Sequence, residues 1–417
     1  MKRGVSVAWI AWLLAALYYF YQYILRSAPA VMMPQLSDGF HVSVTALASI
    51  LGFFYYGYAA LSLVAGTSID RIGARSVIPA GAFLTGAGAL LFGMGDSTAA
   101  SIGRFLQGGG GVFALIGAIY IATRNFPASK AATLIGATQM FGMAGGAVGQ
   151  FLVGPMIASG MAWNVFWISM GLAGVAIAGA LLVLLPKEKP EGPKGDWFKG
   201  SMTALGAVFK NPQSILCGII AGLLFIPTTI FDMVWGVRFL QEAHGFSYGE
   251  AVIRSSTVPL GWIIGCPLLG LLSDRIGRRK PVIIGGACVL LACLSWILYG
   301  RADALPSYLV GLIAGLASGS AMLLYTVIKE ANPPQYSGTA TGAVNLLNFM
   351  ITAIMGEIFV QIMQAATQGK PTGLEHYQIT FQPLLYGVAL GIALTFVLNE
   401  TGPAVRAPIG LETAKSV

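Results

Sequence analysis

The sequence predicts an all-α membrane protein: twelve transmembrane helices in two six-helix bundles related by pseudo-two-fold symmetry. Three observations carry this. Of 417 residues, 56% are hydrophobic and only 10% charged. A soluble domain carries roughly 25% charge, so this chain cannot cover itself with a water-compatible surface. Its apolar runs, each of about 20 residues or more, are long enough to cross a bilayer core as helices. Finally, one charged turn, Asp-Arg-Ile-Gly, stands at 70–73 and again at 274–277. A transmembrane β-barrel would alternate apolar and polar residues with period two, and these runs are continuously apolar. The 55 glycines suit helices that approach closely in a membrane.

The elements follow in order. The first run, 7–35, lies in a segment that begins like a signal peptide, "MKRGVSVAWIAWLLAALYYF". Its apolar stretch is too long for one and lacks a small-residue cleavage site, so a retained first helix is expected. Helix 2 (44–66) follows "DGF" at 38–40 and runs into the first charged turn, "GTSIDRIGARS"; helix 3 (76–95) follows that turn. Helix 4 (98–123) contains "GRFLQGGGG"; helix 5 (131–158) overlaps "NFPASKAATLIGATQ"; helix 6 (163–186) closes the first half. The polar stretch "PKEKPEGPKGDWFKGS" (186–201) is rich in Pro, Gly and Lys and reads as a linker. Helices 7–12 are expected at 213–241, 248–272, 281–300, 305–328, 337–366 and 376–398.

The second half repeats the first. "HGF" at 244–246 echoes "DGF", and "GLLSDRIGRRK" at 270–280 repeats the charged turn. "ANPPQYSGTATGAVN" (331–345) aligns Pro333 with Pro127, Gly342 with Gly136 and Asn345 with Gln139. The expected organisation is therefore an N-terminal bundle (1–186), a cytoplasmic linker (187–212), a C-terminal bundle (213–400) and a cytoplasmic tail (401–417).

The net charge of +8 is a topology signal. With the N-terminus inside and sides alternating, eighteen of the 24 Lys and Arg fall in cytoplasmic segments. That is the positive-inside bias, which places both termini in the cytoplasm and gives no ground for a nucleic-acid partner. Cys217, Cys266, Cys288 and Cys293 all lie in apolar runs and read as small packing residues; no metal-ligand spacing or disulfide framework is present. His41, His244 and His376 fall in expected loops. No cofactor or metal is expected.

A duplicated six-helix bundle is an architecture of secondary transporters. The residues resemble the major facilitator superfamily. Its loop signature, Gly-x-x-x-Asp-Arg-x-Gly-Arg/Lys-Arg/Lys, is matched by Gly270, Asp274, Arg275, Gly277, Arg278 and Arg279. The first copy keeps Gly66, Asp70, Arg71, Gly73 and Arg75 and departs at Ala74. A second signature, Arg-x-x-Gln-Gly in helix 4, stands as Arg104, Gln107 and Gly108. The resemblance implies alternating access, with the charged loops (Asp70, Arg71, Arg75, Asp274, Arg275, Arg278 and Arg279) gating the cytoplasmic side as breakable charge-assisted pairs. Plain loop anchoring and topology setting is the other reading of those charges. Superfamily membership says little about substrate.

An ionisable group inside the bilayer is costly and is a functional candidate by default. Arg26 in helix 1 and Asp232 in helix 7 occupy equivalent positions in the two halves. The resemblance implies that helices 1 and 7 face each other across a central cavity, so the two are expected to look at one another at mid-depth. Arg26 offers a planar fork for a carboxylate or phosphate; Asp232 can accept an ammonium group or take a proton. A static salt bridge between bundles is the bland alternative. Tyr19, Gln22 and Tyr23 share the Arg26 face at helical spacing, and Trp235 lies one turn beyond Asp232. Tyr55 and Tyr58 either join this cavity or pack as aromatics, and Gln139 with Asn345 either line it or bond helix to helix. Glu357 and Arg104 are further coupling candidates; Arg104 also reads as an organiser of helix packing. Arg238 and Arg254 read as snorkelling outward, and Lys329 with Glu330 as latch or solvated helix end. Pro29, Pro34 and Pro227 break helices 1 and 7, as discontinuous helices around transport sites do.

"YQYILRSAPAVMMPQL" looks most like helix 1 of the organic-anion and organophosphate carriers. The phosphate carriers use a second Arg in helix 7, where this chain has Asp232, which disfavours phosphate esters. The expected function is secondary active transport of a small organic anion or zwitterion (carboxylate, amino acid or short peptide), coupled to protons, by a monomer in the plasma membrane, in bacteria the inner membrane. Multidrug efflux is the alternative; Gly154-Pro155 starts the family's efflux signature in helix 5 but lacks the glycines that follow. No P-loop, HExxH or GxSxG supports an enzyme, and no soluble domain supports a sensor.

Overall fold

A computed structural model describes residues 2–126, 128–186, 197–300, 307–333, 336–369 and 371–402; the side chains of 2–6, 70, 71, 123, 128–133, 135, 136, 197–201, 307 and 337 lie outside the described set. Twelve helices within it are long and apolar enough to cross a membrane. They are α1 (Val7–Val31), α2 (Val44–Ile69), α3 (Ala74–Phe92), α4 (Ser97–Ala122), α5 (Ala137–Ala158), α6 (Trp163–Leu184), α7 (Pro212–His244), α8 (Tyr248–Ile276), α9 (Lys280–Tyr299), α10 (Tyr308–Glu330), α11 (Gly338–Thr367) and α12 (Leu374–Val397). No strand occurs among the described residues.

Local chemistry sets the breaks. Ser43 and Ser247 cap equivalent helices, each accepting a backbone N–H three residues on, from Ala46 and Glu250. The charged turns need a glycine because the chain turns with positive φ, 96° at Gly73 and 71° at Gly277. Pro29 and Pro34 interrupt the expected 7–35 helix: a 3₁₀ turn over Ala28–Val31 leads into a separate helix, Met33–Phe40. In α7 the segment Pro227–Gly236 winds as a π-helix. The expected linker is helical over Trp197–Phe209, because Leu205, Val208 and Phe209 form a short apolar stripe behind its Lys- and Gly-rich start.

Packing repeats between the halves. Contacts of α1 with α5, α2 with α4, α3 with α4 and α3 with α6 recur as α7 with α11, α8 with α10, α9 with α10 and α9 with α12. The halves join along α2–α11 and α5–α8, pairs that the pseudo-two-fold axis exchanges. The two charged turns mark one face of the molecule, the turn face. On the far face, the Tyr248 hydroxyl donates to the carbonyls of Val31 and Gly154, closing α8 over the other half. At mid-depth the Tyr55 hydroxyl donates to the Thr229 carbonyl at 2.5 Å. Toward the turn face, a Cβ on Gly66 would lie 3.4 Å from the Gly338 carbonyl oxygen. The mid-depth polar side chains are thus enclosed.

Candidate functional site

Arg26 is the most exceptional side chain of the fold. It is 2% exposed, and none of its three guanidinium nitrogens has a hydrogen-bond partner. Its charge is met by π-faces: the guanidinium carbon lies 5.0 Å from the Tyr23 ring centroid, 5.1 Å from Phe349, 5.2 Å from Tyr55 and 5.7 Å from Phe54. Helices α1, α2 and α11 therefore share one aromatic cage, drawn from both halves. Among the described residues no carboxylate lies within ion-pair distance of it.

Polar groups flank the cage. The Tyr19 hydroxyl donates to Tyr23 at 3.4 Å and to Gln139 Oε1 at 3.3 Å. On the other side Tyr58 packs on Phe349, with centroids 4.2 Å apart, and Phe225 leads from Phe349 to Tyr325. The Tyr325 hydroxyl donates to Asn345 Oδ1 at 2.6 Å and accepts from Asn348 Nδ2 at 3.2 Å. Gln139 Nε2, Asn345 Nδ2 and Asn348 Oδ1 are buried without partners. Each such group costs about 1–3 kcal/mol when left unmade. A bare guanidinium with spare amide donors and an acceptor nearby can hold an anion whose body carries hydroxyl groups. Gln22, also without partners, turns instead toward Gly111 of α4.

The expected Arg26–Asp232 pair is not formed in this conformation. Asp232 is 5% exposed and faces a small cavity of about 70 Å³ whose described lining residues all fall within 227–318, in the C-terminal half. Ser255 donates to its Oδ1 at 2.9 Å, and Oδ2 has no partner. Trp235 also points away from the cage, packing against Tyr377 and Phe381 of α12. The cause is local: the π-helical winding from Pro227 turns both side chains out of the register an α-helix would give. Glu357 is half-buried and accepts from Ser49 at 2.9 Å, joining α11 to α2 away from the cage.

Arg104, Gln107 and Gly108 form a packing node. The Arg104 guanidinium donates to the Leu25 carbonyl of α1 at 3.0 Å and to Gln107 at 2.8 Å, and lies 4.8 Å over Phe54. Gln107 donates to the Gly88 carbonyl of α3 at 3.0 Å, and Gly108 sits against the backbone of Phe54 in α2. Three neighbouring helices are thereby fixed to α4.

At the turn face Arg279 is the hub. It pairs with Asp274 at 2.5 Å and with Glu330 at 3.0 Å, and its backbone N–H donates to Glu400 at 2.6 Å. Against the desolvation of partial burial, backbone N–H groups of Arg279, Lys280, Gly402 and Thr401 hold the Glu400 carboxyl below its usual range. A depressed carboxyl supports the fold above its ordinary range and loses that support as pH falls through the lowered value. The equivalent Arg75 donates to the Leu185 carbonyl at 3.1 Å. Arg275 and Arg278 are exposed, and the side chains of Asp70 and Arg71 lie outside the described set. Sequence reasoning missed Phe54, Phe349, Tyr325, Asn348 and Glu400. Asn348, one helical turn from Asn345, was the only one with a visible signal.

A family model described as Major Facilitator Superfamily matches residues 15–356. The chain is 28% identical over 402 residues to the hexuronate transporter of Bacillus subtilis (strain 168), covering 91% of this chain and 85% of that protein. It is 25% identical over 297 residues to an MFS-type efflux pump of Mycolicibacterium smegmatis (strain ATCC 700084 / mc(2)155), covering 67% and 66%. Among solved structures, a D-xylose-proton symporter superposes with a TM-score of 0.69 at 16% identity, covering 94% of this chain and 97% of that one. A mutant of the nucleoside transporter NupG superposes with a TM-score of 0.71 at 13% identity, covering 93% and 99%.

Proposed function

This chain belongs to the major facilitator superfamily, and we propose that it carries a small organic anion, a hydroxylated carboxylate of the sugar-acid class. Arg26 anchors the carboxylate, and the two faces open in alternation. The observation that supports this reading is the bare, buried guanidinium in its aromatic cage, with unpartnered amide groups of α5 and α11 nearby. A zwitterion would need an acid beside Arg26, and among the described residues none stands in the cage; the second guanidinium that borders it, Arg104 over Phe54, is engaged by the Leu25 carbonyl and Gln107, which leaves Arg26 as the anchor for a single carboxylate. The relative that carries hexuronates points to the same chemistry.

The charge bias puts the turn face and both termini in the cytoplasm. Proton coupling falls to Asp232, with Glu357 of α11 as a further candidate. Arg279 with Asp274 and Glu330 acts as the cytoplasmic latch. Asp274 is 62% exposed and its pair contributes little. The better-buried Glu330 carries the larger share. Arg279→Gln is expected to slow counterflow in proteoliposomes about tenfold, a barrier change of about 1.4 kcal/mol, with ligand affinity unchanged. Altered affinity at an unchanged rate would remove the latch role.

The substrate class is tested by thermal shift of the purified protein. D-glucuronate is expected to raise the melting temperature, and glucose and glucose 6-phosphate are expected to leave it unmoved. An equal shift with glucose would count against an anion site.

A further inference from the structure

Asp232 sits at a position equivalent to Arg26 yet faces away from it, and the reason is a register. An α-helix turns about 100° per residue. A π-helix bonds i to i+5 rather than i to i+4, so each π turn holds one extra residue. The stretch from Pro227 to Asp232 is about one such turn. Rewinding it as α-helix advances everything beyond by about one residue's rotation. Asp232 then takes the direction that Met233 has now.

That direction leads to the substrate site. The Met233 methyl lies 3.3 Å from the point where a Gly146 Cβ would stand, and a ring carbon of Tyr23 lies 3.5 Å from the same point. Tyr23 is the cage member whose centroid is 5.0 Å from the Arg26 guanidinium. Met233 thus crosses from α7 to the α1–α5 wall of the other half. Asp232, one residue earlier, points into the C-terminal bundle.

There it meets the small cavity of the C-terminal bundle, whose lining runs from Thr228 and Asp232 toward His244, Phe246 and Gly300 at the far face. Among the described residues, the charged or titratable groups lining it are Asp232 itself, His244 from the end of α7 and Arg254 from α8; the described lining residues of α9 and α10 carry none. Arg254 lies 4.1 Å over the Phe246 ring. The buried, unpartnered Oδ2 of Asp232 therefore has access to a space separate from the Arg26 cage.

We propose that Asp232 is a two-position proton carrier, loaded in the cavity of the C-terminal bundle and delivered to Arg26 by rewinding Pro227–Asp232 as α-helix, an advance of about one residue. Hydronium entering from the far face gives its proton to the Asp232 carboxylate and leaves water. The neutral acid lets a substrate carboxylate hold Arg26. After rewinding, Asp232 yields its proton to water on the turn-face side, and the new carboxylate pairs with Arg26 and displaces the substrate. This rests on the reading of Arg26 as substrate anchor, and it places the loading site outside the substrate path.

The test walks the charge by one residue, with D-glucuronate as probe. Asp232→Asn is expected to bind it at least as tightly as the wild type, because no carboxylate competes for Arg26, while accumulation driven by a pH gradient falls to the equilibrium level. Asp232→Asn/Met233→Asp fixes a carboxylate in the direction of Arg26 and is expected to bind about 100-fold more weakly, a loss of about 2.7 kcal/mol. Asp232→Asn/Met233→Asn controls for size and polarity and is expected to bind within a few-fold of Asp232→Asn. Equal binding by the two double variants, or undiminished accumulation by Asp232→Asn, overturns the proposal. Wild-type protein that ignores glucuronate overturns the anchor reading itself, a separate failure.

Discussion

Arg26→Met is expected to abolish uptake of a carboxylate substrate and, in the same variant, to raise the melting temperature of the substrate-free protein. The guanidinium is buried with all three nitrogens unpartnered, and four aromatic rings surround its charge. Methionine reaches nearly as far, packs well against rings and brings no charge. Replacing buried ionic groups by apolar ones of similar volume is often neutral or stabilising by about 1–4 kcal/mol. With substrate bound the sign reverses, because removing one partner of a buried pair costs about 3–5 kcal/mol. That corresponds to a loss of affinity of about 150- to 4,000-fold. Stability and uptake measured on one preparation separate the two effects. A variant that melts lower and still transports would show a structural arginine.

Gly108→Val is expected to abolish folding or leave a protein that cannot bind substrate. A Cβ on Gly108 would overlap the Phe54 carbonyl oxygen and stand 2.7 Å from its carbon, so the backbone of α2 has to move. Overpacking typically costs about 1–3 kcal/mol and sometimes more, and here the obstacle is main chain with no rotamer to turn. The strain falls on Phe54 and Tyr55, two walls of the Arg26 cage. Gly108→Ala carries the same Cβ contact without the branch and is expected to lower the yield of folded protein and to weaken glucuronate binding about tenfold in what folds. Wild-type yield and affinity for Gly108→Val would mean that α2 and α4 pack more loosely than described.

The fold was legible because a bilayer leaves so few choices. Continuous apolar runs reveal helices whatever their neighbours, and the duplicated turn revealed the repeat. Arg26 was legible for the same reason, since a charge at mid-depth demands an explanation. Asp232 obeyed that logic and still misled, because a change of helical winding after Pro227 leaves no mark in periodicity or composition. The cage walls Phe54 and Phe349 were hidden by being apolar among many apolar residues; only the arginine between them gives them meaning. The turn-face charge cluster was half visible: the loop signature marked Asp274 and Arg279, but Glu400 lies well beyond the repeat's landmarks, and its part depends on how α12 ends.

The site's chemistry is checked most directly by determining the structure with D-glucuronate bound. The expected result is the carboxylate inside the cage of Tyr23, Tyr55 and Phe349, with its oxygens about 2.7–2.9 Å from the Arg26 nitrogens, as charge-assisted bonds require. A carboxylate seated elsewhere, with the Arg26 guanidinium still bare, would contradict it.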